Sequence, residues 1–455
     1  MSDMNRRQFI RKVGLSSLAY FTAEATTPNW IIRAAQAVPL SCLADGKILV
    51  ILQQSGGNDG LNTVIPRTDP VYYDALTRPT IRVAAGSEIN LTGPVGLHPR
   101  LAKVADWYNL GNVAIMQNVG YVNPDLSHFS STDYWETGSV PGVVLPTQGW
   151  VARFYDNTCN GTGDPEALFM AATGMSTVPG AFENATGYTP PAVSSASSYN
   201  LTTNGSTAPS TTDRTIRLNG ITALNSMTTT DPDIDFVQRS ENTAEASITD
   251  IATASAMPDL VAPGSYTTDT FGTGMKLASQ IIRAGFNTRI FYVSQGGYDT
   301  HADQINTADP LNAGDHPVLL SNLDKNLDAF LTEMQLSGNL DRVLVLTFSE
   351  FGRRVVENSS RGTDHGAANV MFALGGGVNG GVFGGQPDLV NLIKGNLTHQ
   401  VDFRAVYSQV IENWFGAQAS PVFGASAYNS LIAPDMIKVP FVGTPAAVRE
   451  WKQYA

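Results

Sequence analysis

Five times along this chain a short apolar run ends in a cluster of polar residues, and that repetition limits the fold more than any other feature. Lys47–Leu52 leads into Gly56-Gly57-Asn58-Asp59-Gly60-Leu61-Asn62, and Asn112–Met116 leads, after a short loop, into Pro124-Asp125-Leu126-Ser127-His128-Phe129. Arg289–Val293 leads into Gly296-Gly297-Tyr298-Asp299-Thr300-His301, and Arg342–Leu346 into Ser349-Glu350-Phe351-Gly352-Arg353. Ala368–Leu374 leads into Gly375-Gly376-Gly377. Unbroken β-branched and Leu runs suit strands covered on both faces, as in a parallel sheet. Helical spacing lies between them. Leu320, Leu323, Leu327, Phe330, Leu331 and Met334 follow Asp315-His316-Pro317, a cap and N1 proline. Phe403, Val406, Tyr407, Val410, Ile411 and Trp414 follow Asp402 and stop at Gly416. Alternating strands and helices predict an α/β fold with a mixed or parallel central sheet. In such sheets ligands bind beyond the carboxyl ends of the strands, where these polar clusters fall.

Of 455 residues 15% are charged, below the roughly 25% of an average globular protein, so charge-driven disorder is excluded. The formal charge is −12 and no basic block is present, which argues against binding nucleic acid or an anionic membrane. The longest aliphatic run, Ile48–Leu52, is far short of the ~20 residues of a membrane span.

The N-terminus reads Asn5-Arg6-Arg7-Gln8-Phe9-Ile10-Arg11-Lys12, then the weakly apolar Val13–Ala25, then Ala35-Gln36-Ala37. This order resembles a twin-arginine signal with an A-x-A cleavage site; the alternative is a basic amphipathic helix. A signal over residues 1–37 leaves 38–455 as the mature domain, with a charge of 23 − 38 = −15. It implies the twin-arginine translocase as an export partner, export in the folded state, and a periplasmic or secreted destination. There Cys42 and Cys159 either pair or remain two thiols. Residues 191–270 hold 27 Ser or Thr and no Lys, His, Trp or Cys, as in a surface insertion or a substrate-facing cap.

The six histidines are His98, His128, His301, His316, His365 and His399. His128, His301 and His365 lie beside Ser127, Asp299 and Asp364 in polar clusters. A divalent ion favours neutral imidazole and carboxylate ligands, which Asp59, Asp299, His301, Asp364 and His365 supply. Two ions ~4 Å apart activate a nucleophile and neutralise a transferring oxyanion. Ser127 is the candidate nucleophile, activated by a metal or, as the fallback, by His128 as its base. Arg353 or Arg354 could grip a phosphate or sulfate. Each has a plainer reading: Asp59 in a turn, Asp299 as a helix cap, Ser127-His128 in a surface loop, Glu350 as an ion-pair partner of Arg353.

The ordered set GGNDGLNTVIP, GLHP, SHF followed by DYWETG, GGYDTH, FSEFGRR, GTDHG, GGGVNGG and DFRAVY covers nearly all of residues 47–416. It resembles a bacterial family of twin-arginine-exported proteins of unknown function, itself similar to the alkaline phosphatase and sulfatase superfamily. The resemblance implies an alkaline phosphatase-like α/β fold: a central, mostly parallel sheet flanked by helices, here with the Ser/Thr-rich insertion. It implies that Asp59, Asp364 and His365 hold one divalent metal (zinc, calcium, magnesium or manganese) near Ser127, and that Asp299 and His301 hold a second. A further histidine is expected, and His399 and His316 compete for that place. Asp299-x-His301 is tighter than the superfamily's usual Asp-x-x-x-His. The sulfatase Cys-x-Pro-x-Arg motif is missing, which argues against a formylglycine sulfatase. The expectation is an exported metal-dependent hydrolase of phosphate or sulfate esters, acting on a small molecule or polysaccharide. The competing expectation is a non-catalytic exported scaffold for envelope or polysaccharide assembly.

Overall fold

The computed structural model describes Leu43, residues 46–159 and 170–185, 190–199 apart from 198, scattered positions from 219 to 250, and residues 251–431 and 439–443. The expected signal and Cys42 lie outside these residues. Cys159 is disulfide-bonded, and the sequence holds one other cysteine.

Among the described residues nine strands form one sheet: β1 (Ile48–Gln54), β2 (Val113–Gly120), β3 (Met170–Thr173), β4 (Ala192–Val193), β5 (Ile290–Gln295), β6 (Val343–Phe348), then β9 (Asn369–Leu374), β10 (Gly381–Phe383) and β11 (Val401–Asp402). Between β6 and β9, β7 (Gly352–Arg353) and β8 (His365–Gly366) make a separate antiparallel ribbon, with Arg353 opposite His365. The spatial order is β10-β2-β9-β6-β1-β5-β3-β4, with β11 also on β2. β1 runs parallel to both β5 and β6, and only β9 is antiparallel to its neighbours.

The unbroken apolar runs exist because both faces of the sheet are covered. In β1, Leu49 and Ile51 enter one core while Ile48, Val50 and Leu52 enter the other. Among the helices are α1 (Gly60–Thr63), α2 (Ala102–Asn109), α3 (His128–Thr137), α4 (Trp150–Cys159), α5 (Thr270–Arg283), α6 (Asp315–Leu336) and α7 (Phe403–Gln409). The first core takes Trp135 of α3, Trp150 and Phe154 of α4 and Tyr407 of α7; the second takes Val104 of α2, Met275 of α5 and Leu327 of α6. The expected α/β architecture, a mostly parallel sheet flanked by helices, is present.

Details differ from the sequence reading. β9 is antiparallel, so the glycines after it turn at the opposite edge, where the Gly375 N–H meets the Asn112 carbonyl before β2. The fifth run therefore delivers nothing to the other clusters. Gly314, not Asp315, is the N-cap of α6, and Asp315 sits in the first turn, where a carboxylate suits the helix dipole. α7 begins as expected, with Asp402 capping Arg404 N, then widens into a π turn over Val410–Trp414. The ends of the Ser/Thr-rich segment belong to the fold: β4 pairs with β3, and Ile251, Ala254 and Tyr266 are buried in the second core. No helix among the described residues is long and apolar enough to cross a membrane.

One buried acid under the sheet makes a testable statement. Burial pushes Glu136 up to about 7, against the hydrogen bonds from Tyr292 Oη and Gly180 N. Its folded value exceeds its ordinary 4.5, so between these limits the folded state holds the extra proton. Stability should then fall as pH rises through that window and level off above it. Denaturant unfolding of Glu136→Gln across the same window checks this, because the variant should lose that slope.

Candidate functional site

β1, β5 and β6 are parallel, so the loops after them leave from one edge of the sheet. Gly56 and Gly57 follow β1, Tyr298 and Asp299 follow β5, and Ser349 and Glu350 follow β6. The glycines let these loops touch. At Gly56 (φ +120) a Cβ would lie 2.4 Å from Asp299 N, and at Gly57 (φ +85) 2.3 Å from the Phe351 ring. α3 brings His128 to the same place, and the β7–β8 ribbon brings Arg353 and His365.

Asp299 is the centre. Its Oδ1 lies 3.0 Å from His365 Nε2 and 3.1 Å from His301 Nε2, and its Oδ2 lies 3.4 Å from His128 Nε2. The Nε2 atoms of His301 and His365 are 2.8 Å apart. Asp364 Oδ1 is 3.6 Å from His301 Nδ1 and accepts from Asn358 Nδ2. The Phe351 ring packs on His365 at 4.1 Å between centroids and on His128 at 4.9 Å. The side chains of Asp299, His301 and His128 are 46%, 44% and 37% exposed, so the cluster opens to solvent on one side. Burial would push the Asp299 carboxyl up, but the hydrogen bond and charge of Arg353 outweigh it and hold it down at about 2. Burial holds the His365 imidazole below its ordinary value.

The protons on the histidine rings can be assigned. His365 Nδ1 faces the Leu126 carbonyl at 2.7 Å, and a carbonyl only accepts, so Nδ1 carries the hydrogen. His128 Nδ1 faces Glu350 Oε1 at 2.9 Å, and that oxygen already accepts from Gly56 N. In the neutral rings both Nε2 atoms are therefore lone pairs facing an ionised carboxylate. An Nε2–H on His301 can satisfy that of His365 at 2.8 Å, and a cation seated among them would satisfy both. His128, Asp299 and His365 offer ligand atoms all within 4.8 Å of one another. Two imidazoles and a carboxylate, with His301 beside them, fit a borderline divalent ion such as zinc.

Several expected site residues lie elsewhere. Asp59 caps α1 and is fully buried; Arg78 Nη1 and Nη2 bind its two oxygens at 2.7 and 3.1 Å, and Gln304 Nε2 adds a bond of 2.7 Å. Burial would raise its carboxyl, but the Arg78 charge and hydrogen bonds prevail and lower it. Its oxygens thus face an arginine and an amide. His316 is buried behind the cluster, with Nε2 3.0 Å from Asn58 Oδ1, and burial pushes its imidazole down to about 4. His399 is near Asp402 and Arg404, outside the cluster. Ser127 is the exposed N-cap of α3, its N–H bonded to Asp125 Oδ1, and its hydroxyl makes no hydrogen bond to a base among the described residues.

Arg353 does not present a free guanidinium. Nε donates to the Gly57 carbonyl and Nη1 to Thr363, while Nη2 donates to Gly56, to Tyr298 and to Asp299 Oδ1. It joins the loops after β1 and β5 to the ribbon. Neighbouring Arg354 points otherwise, and its buried Nε lacks a hydrogen-bond partner among the described residues.

Glu350 is the residue that sequence reasoning assigned differently. It pairs with His128 and not with Arg353. The available signal was its place directly after an apolar run, the same place that Asp299 and His301 occupy after theirs. The Leu126 carbonyl had no side-chain signal at all.

Among solved structures, the chain is similar to Ps i-CgsB (11% identity, 82% of this chain and 72% of that one, TM-score 0.37). It is also similar to the lipoteichoic acid synthase LtaP from Listeria monocytogenes (11% identity, 78% and 73%, TM-score 0.31). A third is a protein in the alkaline phosphatase superfamily from Vibrio parahaemolyticus (11% identity, 81% and 72%, TM-score 0.31). At such TM-scores these neighbours carry no argument. No curated protein matches the chain. The sequence pattern of the family described as "Protein of unknown function (DUF1501)" matches residues 46–407, most of the chain, and the protein belongs to that family.

Proposed function

We propose that this protein is an exported hydrolase of phosphate or sulfate esters that uses a divalent cation held by His128, Asp299 and His365, with His301 beside them. The observation that carries the proposal is the pair of Nε2 lone pairs, on His128 and His365, turned toward the Asp299 carboxylate. A divalent cation bound there supplies Lewis-acid polarisation of an ester oxygen and eases deprotonation of an oxygen nucleophile. His301, exposed at the rim with Asp364 near its Nδ1, is placed to take or return a proton at Nε2. Ser127 adjoins the cluster through His128 and is retained as a candidate nucleophile. The chain would reach the periplasm or beyond through the twin-arginine translocase.

A second reading, an exported scaffold, is favoured by one observation. Asp59, expected to hold a metal, and Arg353, expected to grip an ester's oxyanion, are both saturated by protein partners.

Metal analysis of protein purified from its native export route separates the two readings. The hydrolase should carry about one equivalent of a divalent cation, and Asp299→Asn should lose most of it while remaining folded. Wild-type protein should also hydrolyse an aryl phosphate or aryl sulfate in a cation-dependent way. Stable, clean protein with neither bound cation nor ester turnover would overturn the hydrolase reading and leave the scaffold.

A further inference from the structure

Glu350 is 1% exposed and has no lysine or arginine within salt-bridge distance among the described residues. Its Oε1 accepts from Gly56 N at 2.8 Å and from His128 Nδ1 at 2.9 Å. Its Oε2 has one long contact, 3.4 Å to Ser349 Oγ, and that hydroxyl donates at 2.6 Å to the Gln54 carbonyl. A buried carboxylate without a cationic partner is expensive to maintain. Among the described residues, the group in contact with it that can carry positive charge, or gain it by binding a cation, is His128.

We infer that Glu350 is a positioning residue: it locks His128 in the Nδ1–H tautomer, aims Nε2 at Asp299, and makes that nitrogen a stronger donor to a cation. Outer carboxylates that accept from a ligating imidazole fix its ring and raise its basicity. The fold makes the lock rigid. Glu350 directly follows β6, its backbone carbonyl accepts from Ser131 Oγ of α3, and Asn58 N donates to Ser349 Oγ. The carboxylate is therefore tied both to the loop after β1 and to the helix that carries His128. Phe351 packs on the His128 ring from the same segment. The inference rests on the proposed cation site for its purpose, but its geometry can be tested without any cation.

The experiment uses the full chain labelled with 15N-histidine and stripped of metal by a chelator. The His128 ring nitrogens are assigned by their loss in His128→Gln. Two-bond proton–nitrogen spectra should show the wild-type His128 protonated at Nδ1. Glu350→Ala should release it to the Nε2–H form that free histidine prefers, and Glu350→Gln should keep the Nδ1–H form, because an amide oxygen still accepts. Cobalt(II) titration should then show affinity lower by about 10–100-fold in Glu350→Ala. It should fall several-fold in Glu350→Gln, where the acceptor remains and the charge is gone. If Glu350→Ala fails to fold, Glu350→Gln decides, and unchanged cobalt affinity there overturns the inference. A wild-type His128 protonated at Nε2, or a Glu350→Ala spectrum unchanged from wild type, overturns it outright. Absence of cobalt binding by the wild type with the tautomer shift intact sinks the hydrolase reading and supports the positioning role.

Discussion

Asp59→Ala should lower folding stability by about 3–5 kcal/mol and leave the cation content of the proposed site unchanged. The magnitude is that of removing one partner from a buried ion pair, which strands the other charge in the protein interior. Arg78 is fully buried, and besides Asp59 it donates to Asn62 Oδ1 and to the carbonyls of Val355 and Arg354. Arg78→Ala should therefore cost at least as much, because it also leaves two carbonyls unpaired. The acid limb of stability follows from the sign of the shift. The Asp59 carboxyl lies below its ordinary 3.8 in the folded state, so its contribution is complete above that value and is lost as pH falls toward the folded one. Asp59→Asn should flatten this part of the profile. Denaturant unfolding combined with metal analysis reads both quantities. Near-normal stability with loss of about one equivalent of metal would instead return Asp59 to the ligand set.

The placement of Asp59 shows what a local pattern leaves open. The apolar run of β1 marked where its loop would emerge, and the loop does emerge there. What no local pattern reveals is which of several acids at that edge faces solvent. Arg78 comes from a loop 19 positions later and reaches under the β1 loop, converting an acid in a glycine-rich cluster into an internal counter-ion. The strands themselves were legible because burial on both faces demands runs such as Ile48–Leu52 and Val343–Leu346. Strand direction was not: β9 is as apolar as β6, and only its pairing makes it antiparallel. In the cluster, Asp299, His301, Asp364 and His365 were legible as short-range pairs of ligand-type residues. The role of Glu350 was not, because it depends on a 222-residue separation from His128. Arg353 was noticed for its charge, yet charge alone does not say whether a guanidinium meets a substrate or the backbone.

Arg353→Lys should destabilise the protein by about 2–6 kcal/mol and loosen the proposed cation site, without the clean rise in substrate requirement expected of a lost oxyanion clamp. The side chain is 2% exposed, and its donors serve four backbone carbonyls, of Gly56, Gly57, Tyr298 and Thr363, as well as Asp299. A lysine keeps the charge but offers three donors from a single point, so it cannot span carbonyls on three separate segments. At least two buried acceptors would be left unpaired, each costing about 1–3 kcal/mol. The consequence for the site follows from position. Arg353 stands opposite His365 in the ribbon and bonds Asp299 directly, so its loss frees the centre of the cluster and one of its imidazoles together. Chemical denaturation and cobalt(II) titration of the variant should both weaken, whereas competition by inorganic phosphate or sulfate, measured on whatever folded protein remains, should change little. A stable Arg353→Lys protein with normal cobalt affinity and a sharply weaker response to those anions would show that the guanidinium meets substrate after all, and that its backbone partners in the unliganded protein are exchanged on binding.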